Sequence, residues 1–247
     1  MGHVFDFHEA VAYEKAMKKP ENERTFAMEV QLMRSMMQPR AGESILDIGC
    51  GIGACLPAFL DMGLKVTALD ASAYMLDIAL ARVGSRVDFY KGFAEDLPFD
   101  DNSFNHACLF TTLEFVDDTR KALAEACRVA KDRLFIGVLN RYAIKGVERR
   151  VRGIFSSSIY NHARFFSVWE LKHVIHDLVG NVPITWRTVC QLPLPSGRFA
   201  DSFEQPFLQR CPFGAFAGMS VTLVPRFRTR PLTVRYQPSQ SPEAVSG

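Results

Sequence analysis

Two short apolar runs each contain a carboxylate near or at the end, Ser44-Ile45-Leu46-Asp47-Ile48 and Lys65-Val66-Thr67-Ala68-Leu69-Asp70. The first is followed at once by Gly49, Gly51 and Gly53 at alternate positions. Glycines after a buried strand let the chain turn tightly and let backbone N–H and C=O groups touch a ligand. The letters fit the dinucleotide pattern G-x-G-x-x-A at Gly49, Gly51 and Ala54, and Asp70 ends the second run as a ribose-binding acid would. A phosphate loop of the Walker kind is excluded, because no Gly-Lys-Ser/Thr follows. Asp47 is awkward beside a pyrophosphate; it suits a ligand that carries an ammonium and a sulfonium. Further along, Glu114 lies just past an apolar run, and Tyr160 and His162 share the stretch Tyr160-Asn161-His162-Ala163-Arg164.

The elements that must position these groups follow from periodicity. Residues 1–40 are rich in Met, Glu and Lys and read as helices ended by Pro39 and Gly42. Strands are expected at Ser44–Ile48, Lys65–Asp70, Val87–Tyr90, Asn105–Phe110 and Arg133–Leu139. Helices between them start near Cys55, with Pro57 tolerated in the first turn, at Ser72 and at Asp118. Strands alternating with helices at this spacing predict an α/β fold, a doubly wound and mostly parallel sheet with helices on both faces. Past Asn140 the rhythm changes to a basic stretch, a capping box at Ser167-Val168-Trp169-Glu170 and two closing strands, Ile184–Gln191 and Met219–Val224. Seven strands with the last antiparallel are predicted; six all-parallel strands would favour the dinucleotide reading. The division expected is a small N-terminal helical cap (1–41), a main domain (42–225, with halves 42–140 and 141–225) and a poorly ordered tail (226–247).

The chain has 247 residues, 48% hydrophobic and 23% charged, with a formal charge of +2. That composition suits a soluble domain and gives no reason to expect nucleic acid or an anionic membrane as a bulk partner. No run is apolar for long enough for stable membrane insertion, and acids among the first thirty residues argue against a secretory signal, so a cytoplasmic location is the default expectation. The six cysteines form no CxxC and lie mostly in apolar runs, which predicts reduced, buried thiols and no metal site.

Asp47-Ile48-Gly49-Cys50-Gly51-Ile52-Gly53 resembles the glycine-rich signature of the class I S-adenosylmethionine-dependent methyltransferases. The resemblance continues through Leu69-Asp70-Ala71-Ser72, Met75-Leu76, the run Ala94-Glu95-Asp96-Leu97-Pro98-Phe99-Asp100-Asp101-Asn102-Ser103-Phe104, and Arg128-Val129 with the strand after it. These segments, in order, cover roughly residues 42–140 and are typical of small-molecule members with a type 11-like domain. The resemblance implies S-adenosyl-L-methionine as cofactor and S-adenosyl-L-homocysteine as product. It places Asp47, Gly49, Cys50, Gly51 and Gly53 beside the methionine moiety, Asp70 on the ribose hydroxyls, and Ala71 and Met75 on the adenine. Phe93, Ala94 and Glu95 fall at the adenine edge, with a backbone carbonyl from Leu109 or Phe110 for the cofactor's amino group. Phe93 replaces a usual aspartate, so stacking or Glu95 must serve there. Asn105 replaces a usual acid, which is expected to be structural.

Methyl transfer from a sulfonium is an in-line displacement that needs alignment and exclusion of water, and a base only where the acceptor must lose a proton. Glu114, Tyr160 and His162 are the candidates for the acceptor side. Tyr13 either closes over the cofactor or packs in the core. Arg141, Lys145 and Arg149 recur every four residues as one helix face, either solvated or anion-binding. The leading expectation is methyl transfer to a small-molecule acceptor; a nicotinamide-dependent oxidoreductase and a non-catalytic cofactor-binding module are the alternatives.

Overall fold

The structure is a computed structural model, and it describes residues 2–143, 163–189 and 210–224. The two N-terminal helices are α1 (Phe7–Met17) and α2 (Pro20–Met37). Asp6 caps α1 in a reciprocal capping box with Glu9, and Pro20 at the first position of α2 breaks the two apart. There follow β1 (Ser44–Ile48), α3 (Leu56–Asp61), β2 (Lys65–Asp70), α4 (Ala73–Val83), β3 (Asp88–Lys91), β4 (Phe104–Phe110), α5 (Thr119–Val129) and β5 (Ala130–Leu139). A 3₁₀ turn at Arg141–Ala143, α6 (Val168–Val179), β6 (Ile184–Val189) and β7 (Phe216–Thr222) complete the described chain. Pro57 falls in the first turn of α3, and Ser72, Asp118 and Ser167 each accept a backbone N–H at the start of their helices, as the sequence predicts.

The seven strands form one sheet in the order β3-β2-β1-β4-β5-β7-β6. β7 runs antiparallel to both β5 and β6, while the other described pairs are parallel. The six-stranded all-parallel sheet of the dinucleotide reading is therefore not formed. The closing strand begins at Phe216, earlier than the predicted Met219, because Phe216, Ala217 and Gly218 pair with Leu139, Val138 and Gly137. The order reverses between β1 and β4, where the loops diverge and leave a crevice at the strands' carboxyl ends.

The side chains of β1 alternate between two cores. Leu46 and Ile48 face α5 and α6, while Ile45 faces α2 and α3 with Met33, Met37, Phe59 and Phe135. The basic face predicted for Arg141, Lys145 and Arg149 lies outside the described residues beyond Ala143, as do Tyr160 and His162. The segment after β3 is fixed by Arg128, whose guanidinium donates to the carbonyls of Leu97 and Phe99 and to the carboxylates of Glu125 and Asp101. That network accounts for the spacing between the Ala94–Phe104 run and Arg128. Asn105 is structural: its amide bridges Asp132 in β5 and Ser44 in β1.

Candidate active site

The glycine turn is tied to β2 from its first residues. The N–H groups of Gly49 and Cys50 both donate to the carbonyl of Leu69, at 2.7 and 3.0 Å, and that of Gly51 donates to Asp70 Oδ2 at 2.8 Å. This departs from the expectation that the turn's N–H groups serve the ligand. Consumed internally, these three cannot cradle a pyrophosphate, which counts against the dinucleotide reading. Gly49 has φ +71°, and a Cβ there would sit 2.2 Å from Thr112 Cγ2; Gly51 has φ +53° with no atom within 4 Å of a Cβ. The first glycine admits the loop after β4, and the second leaves its outer face open to the cleft.

Asp70 is held in place by backbone donors that include Gly51 and Ser72, the latter 2.9 Å from Oδ1. A carboxylate accepts about four hydrogen bonds, so both oxygens keep capacity for a further donor such as a diol. Burial raises its pKa, opposed by those backbone donors. Asp47 is buried, and its Oδ2 has no hydrogen-bond partner among the described residues. Burial, assisted by the charge of Asp70, pushes its carboxyl up to about 7. A buried carboxylate oxygen without a donor fits a ligand that brings its own positive charge.

The cleft around these groups spans about 990 Å3 including its open mouth. Asp47, Gly49, Cys50, Gly51, Asp70, Ala71, Met75, Phe93, Ala94, Glu95 and Phe110 all line it, so most of the expected cofactor residues converge on one space. Gly53 and Leu109 are outside this lining. A Cβ on Gly53 would meet Ala79 and Leu56 at 2.9 Å, so it serves the packing of α4 on the turn. Leu109 is fully buried in the core. Phe93 is 52% exposed at the rim, and Glu95 Oε1 accepts from the N–H groups of Asp117 and Asp118, tying the loops after β3 and β4 together. Glu114 does not reach the cleft: it is buried, its Oε1 accepts from Leu139 N at 2.7 Å, and burial pushes its carboxyl up to about 8. It clamps the loop after β4 to the end of β5.

The cleft also has walls that sequence reasoning missed. Residues Gly2–Phe5 cross it as a strap: His3 N donates to Phe115 O at 2.9 Å, and Ser72 Oγ donates to Phe5 O at 2.7 Å. His3 Nε2 meets Glu9 Oε2 at 3.1 Å. The Asp6/Glu9 capping box was a usable signal, since it fixes the start of α1 and sets residues 2–5 apart as the segment leading into it. Tyr13, for which closing over the cofactor and core packing were both open, lines the cleft; Phe26, Thr111 and Thr112 line it as well. Thr111 has φ +52°, a strained conformation for a β-branched residue, and the strain lies in the cleft wall. Thr112 Oγ1 donates to Ile48 O at 2.9 Å and so fastens this loop to β1. Cys50 and Cys55 also face the cleft, and burial raises both thiols well above their ordinary range, so they stay protonated, reduced and poorly nucleophilic. No cluster of potential metal ligands occurs among the described residues.

The sheet order and the cleft lining fit the resemblance to the S-adenosylmethionine-dependent methyltransferases, and comparison with known proteins agrees. Residues 46–135 match the family model described as a methyltransferase domain. An uncharacterized protein of Methanocaldococcus jannaschii is 32% identical over 180 residues, covering 71% of this chain and 80% of that one. A demethylmenaquinone methyltransferase of Renibacterium salmoninarum is 41% identical over 90 residues, 36% of this chain, and only 38% of that relative's length is spanned. Among solved structures, a Thermotoga maritima SAM-dependent methyltransferase, described as a possible histamine N-methyltransferase, superposes with a TM-score of 0.64 at 27% identity, covering 85% of this chain and 93% of that one. The chain belongs to the class I S-adenosylmethionine-dependent methyltransferase family.

One pH effect follows from Asp47. A cationic ligand seated against Asp47 is expected to stabilise the carboxylate and lower its pKa on binding, with affinity highest well above pH 7 and falling as pH drops through it. Titration calorimetry with S-adenosylmethionine at pH 8 and pH 6 should show weaker binding at the lower pH, with proton release. The Asp47→Asn variant should bind weakly at both.

Proposed function

We propose that this chain transfers a methyl group from S-adenosylmethionine to a small, largely apolar acceptor, a hydroquinone or phenol being the class that suits the cleft best. The observation that carries this is the cleft's lining: Phe5, Tyr13, Phe26, Phe110 and Phe115 surround the donor turn, and no Lys or Arg lines it among the described residues. An acceptor bearing phosphate or carboxylate would meet Asp47 and Asp70 with no described counter-charge. The similarity to a demethylmenaquinone methyltransferase, 41% identical over 90 residues, supports the same class.

When bound, S-adenosylmethionine supplies a methyl group already activated on a sulfonium. The protein's part is then placement. Asp70 takes the ribose hydroxyls, Asp47 opposes the cofactor's positive charge, and Ala71, Met75 and Ala94 pack on the adenine. The strap Gly2–Phe5 covers that half and excludes water. The carbonyl of Phe110, which already accepts from Thr111 Oγ1 at 2.7 Å, has a second lone pair for the cofactor's amino group. Glu114 holds the loop that carries Phe110 and Phe115 rather than meeting the acceptor, and Tyr160 and His162 stay candidates for the acceptor side.

Release of S-adenosylhomocysteine, measured with a panel of a reduced naphthoquinone, a simple phenol, an imidazole-bearing amine and a phosphorylated amine, tests the proposal. Turnover is expected with the first two. Turnover with the phosphorylated amine alone would overturn the acceptor class, and saturable binding of NAD(H) in place of S-adenosylmethionine would overturn the donor.

A further inference from the structure

Three of the described residues other than glycine have a positive φ: Gln38 (45°), Asn102 (56°) and Thr111 (52°). Gln38 ends α2 as its C-cap, and Asn102 lies in the turn before β4. A helix end and a tight turn are ordinary places for such a backbone. Thr111 is different. It is β-branched, and it directly follows β4 in the wall of the cleft. A β-branched residue in this region is an outlier that persists only where its surroundings hold it.

Hydrogen bonds on either side hold it there. The N–H of Thr111 donates to Gly137 O in β5 at 2.8 Å, and Phe110 is the β4 partner of Gly137. Because the peptide is planar and trans, the carbonyl of Phe110 in the same unit points the opposite way, toward β1. By that level β1 has ended: its last pair with β4 is Ile48 with Leu109. One pair further, a parallel ladder would bring the N–H of Cys50 to this carbonyl, but that N–H donates to Leu69 O. The Phe110 carbonyl therefore faces the crevice between the two strands. On the other side of Thr111, Thr112 Oγ1 donates to Ile48 O at 2.9 Å and Glu114 Oε1 accepts from Leu139 N. A positive φ swings a side chain toward the carbonyl of the preceding residue, which is part of what makes this region costly. In Thr111 the same approach puts Oγ1 2.7 Å from Phe110 O, as a hydrogen bond. Thr112 Oγ1 is farther from that oxygen, at 3.4 Å, so Thr111 is its closer donor.

We propose that Thr111 is a positioning residue for the methyl donor: its strained backbone keeps its hydroxyl on the Phe110 carbonyl, and that bond keeps the carbonyl aimed at the amino group of S-adenosylmethionine. The proposal rests on the Phe110 carbonyl being the acceptor for that amino group, as proposed above, and is independent of which acceptor is methylated. The hydroxyl takes one lone pair and Gly137 fixes the peptide plane, so the remaining lone pair is directed into the crevice. The ammonium then meets an oriented acceptor and no rearrangement is needed. Glycine would adopt this φ without strain, as it does at Gly49, Gly51 and Gly53, but it has no hydroxyl. Threonine at such a position marks the hydroxyl as the part that acts.

Titration calorimetry on the full chain with two ligands tests this: S-adenosylhomocysteine, and its analogue in which hydrogen replaces the α-amino group. The parent should bind the first more tightly. Thr111→Gly should bind S-adenosylhomocysteine about three- to tenfold more weakly, the loss expected of one hydrogen bond, and bind the deaminated analogue as the parent does. It should also melt within a few degrees of the parent, because relief of strain offsets the lost bond. Thr111→Ser keeps the hydroxyl and should preserve the parent's preference between the two ligands. Unchanged affinity of Thr111→Gly for S-adenosylhomocysteine would overturn the proposal and leave the role of the Phe110 carbonyl in place. Equal weakening of both ligands, or a large fall in melting temperature, would make Thr111 a structural residue only. A serine variant as weak as the glycine variant would remove the hydroxyl from the account. A parent that binds both ligands alike would overturn the role of the Phe110 carbonyl and the proposal with it.

Discussion

Replacing Asp70 with asparagine is expected to weaken S-adenosylhomocysteine binding by about a hundredfold or more. The carboxylate accepts Gly51 N–H on one oxygen and Ser72 N–H on the other. An asparagine amide must turn its NH2 toward one of those donors, so the glycine turn or the start of α4 loses its anchor. The charge-assisted bonds to the ribose diol are lost as well, each about 1.5–3 kcal/mol, and two at the lower figure already exceed two powers of ten in affinity. Titration calorimetry measures this directly, and circular dichroism establishes that the variant is folded. An affinity within a few-fold of the parent would remove Asp70 from the cofactor site. A secondary effect separates charge from geometry: without the charge of Asp70, the Asp47 carboxyl titrates at lower pH, because that charge is one of the causes that raise it.

Alanine at Gly49 and alanine at Gly51 are expected to fail differently. At Gly49 the positive φ costs about 1–2 kcal/mol for any residue with a Cβ, and that Cβ would lie 2.2 Å from Thr112 Cγ2. Relief requires the loop after β4 to move off β1, breaking the Thr112 bond to Ile48. A loss of roughly 3 kcal/mol or more is expected, lowering the melting temperature by about 6–12 °C. Thr112→Ala in the same chain should recover part of that loss. At Gly51 the φ strain is similar but nothing lies within 4 Å, so the protein should melt within a few degrees of the parent. The added methyl there enters the cleft, and cofactor affinity should suffer instead. Melting curves and calorimetry on both variants distinguish the roles, and identical behaviour would refute this division of labour.

The sheet was legible because its order follows from local signals. Each strand is an apolar run bounded by Gly or Asp, and each following helix has a cap that could be read, as at Ser72 and Asp118. The donor half was legible for a related reason: its residues sit at strand ends, so finding the strands finds the site. Glu114 illustrates what was not legible. Its position after β4 suggested the acceptor, yet its orientation is set by the N–H of Leu139, a partner 25 positions away that no local pattern reveals. The donors of the glycine turn were likewise assigned to the ligand, while Leu69 and Asp70 take them, because parallel pairing of β1 with β2 brings those two residues to the turn. The strap at Gly2–Phe5 was missed because its only sequence mark is the helix cap that follows it.

The placement of β7 between β5 and β6 has a consequence for synthesis of the chain. Among the described strands β6 pairs only with β7, so when the residues of β6 leave the ribosome the described strands before it offer none to join. The strands around the cofactor cleft, β1 to β5, can by then be paired, but β5 offers Arg133–Leu139 as an open edge until Phe216–Thr222 arrives. An unpaired edge of this kind is a template for intermolecular pairing. The nascent protein thus holds the strands of the donor site beside an open sheet edge, and seven late residues close that edge by inserting into the sheet instead of adding to its rim.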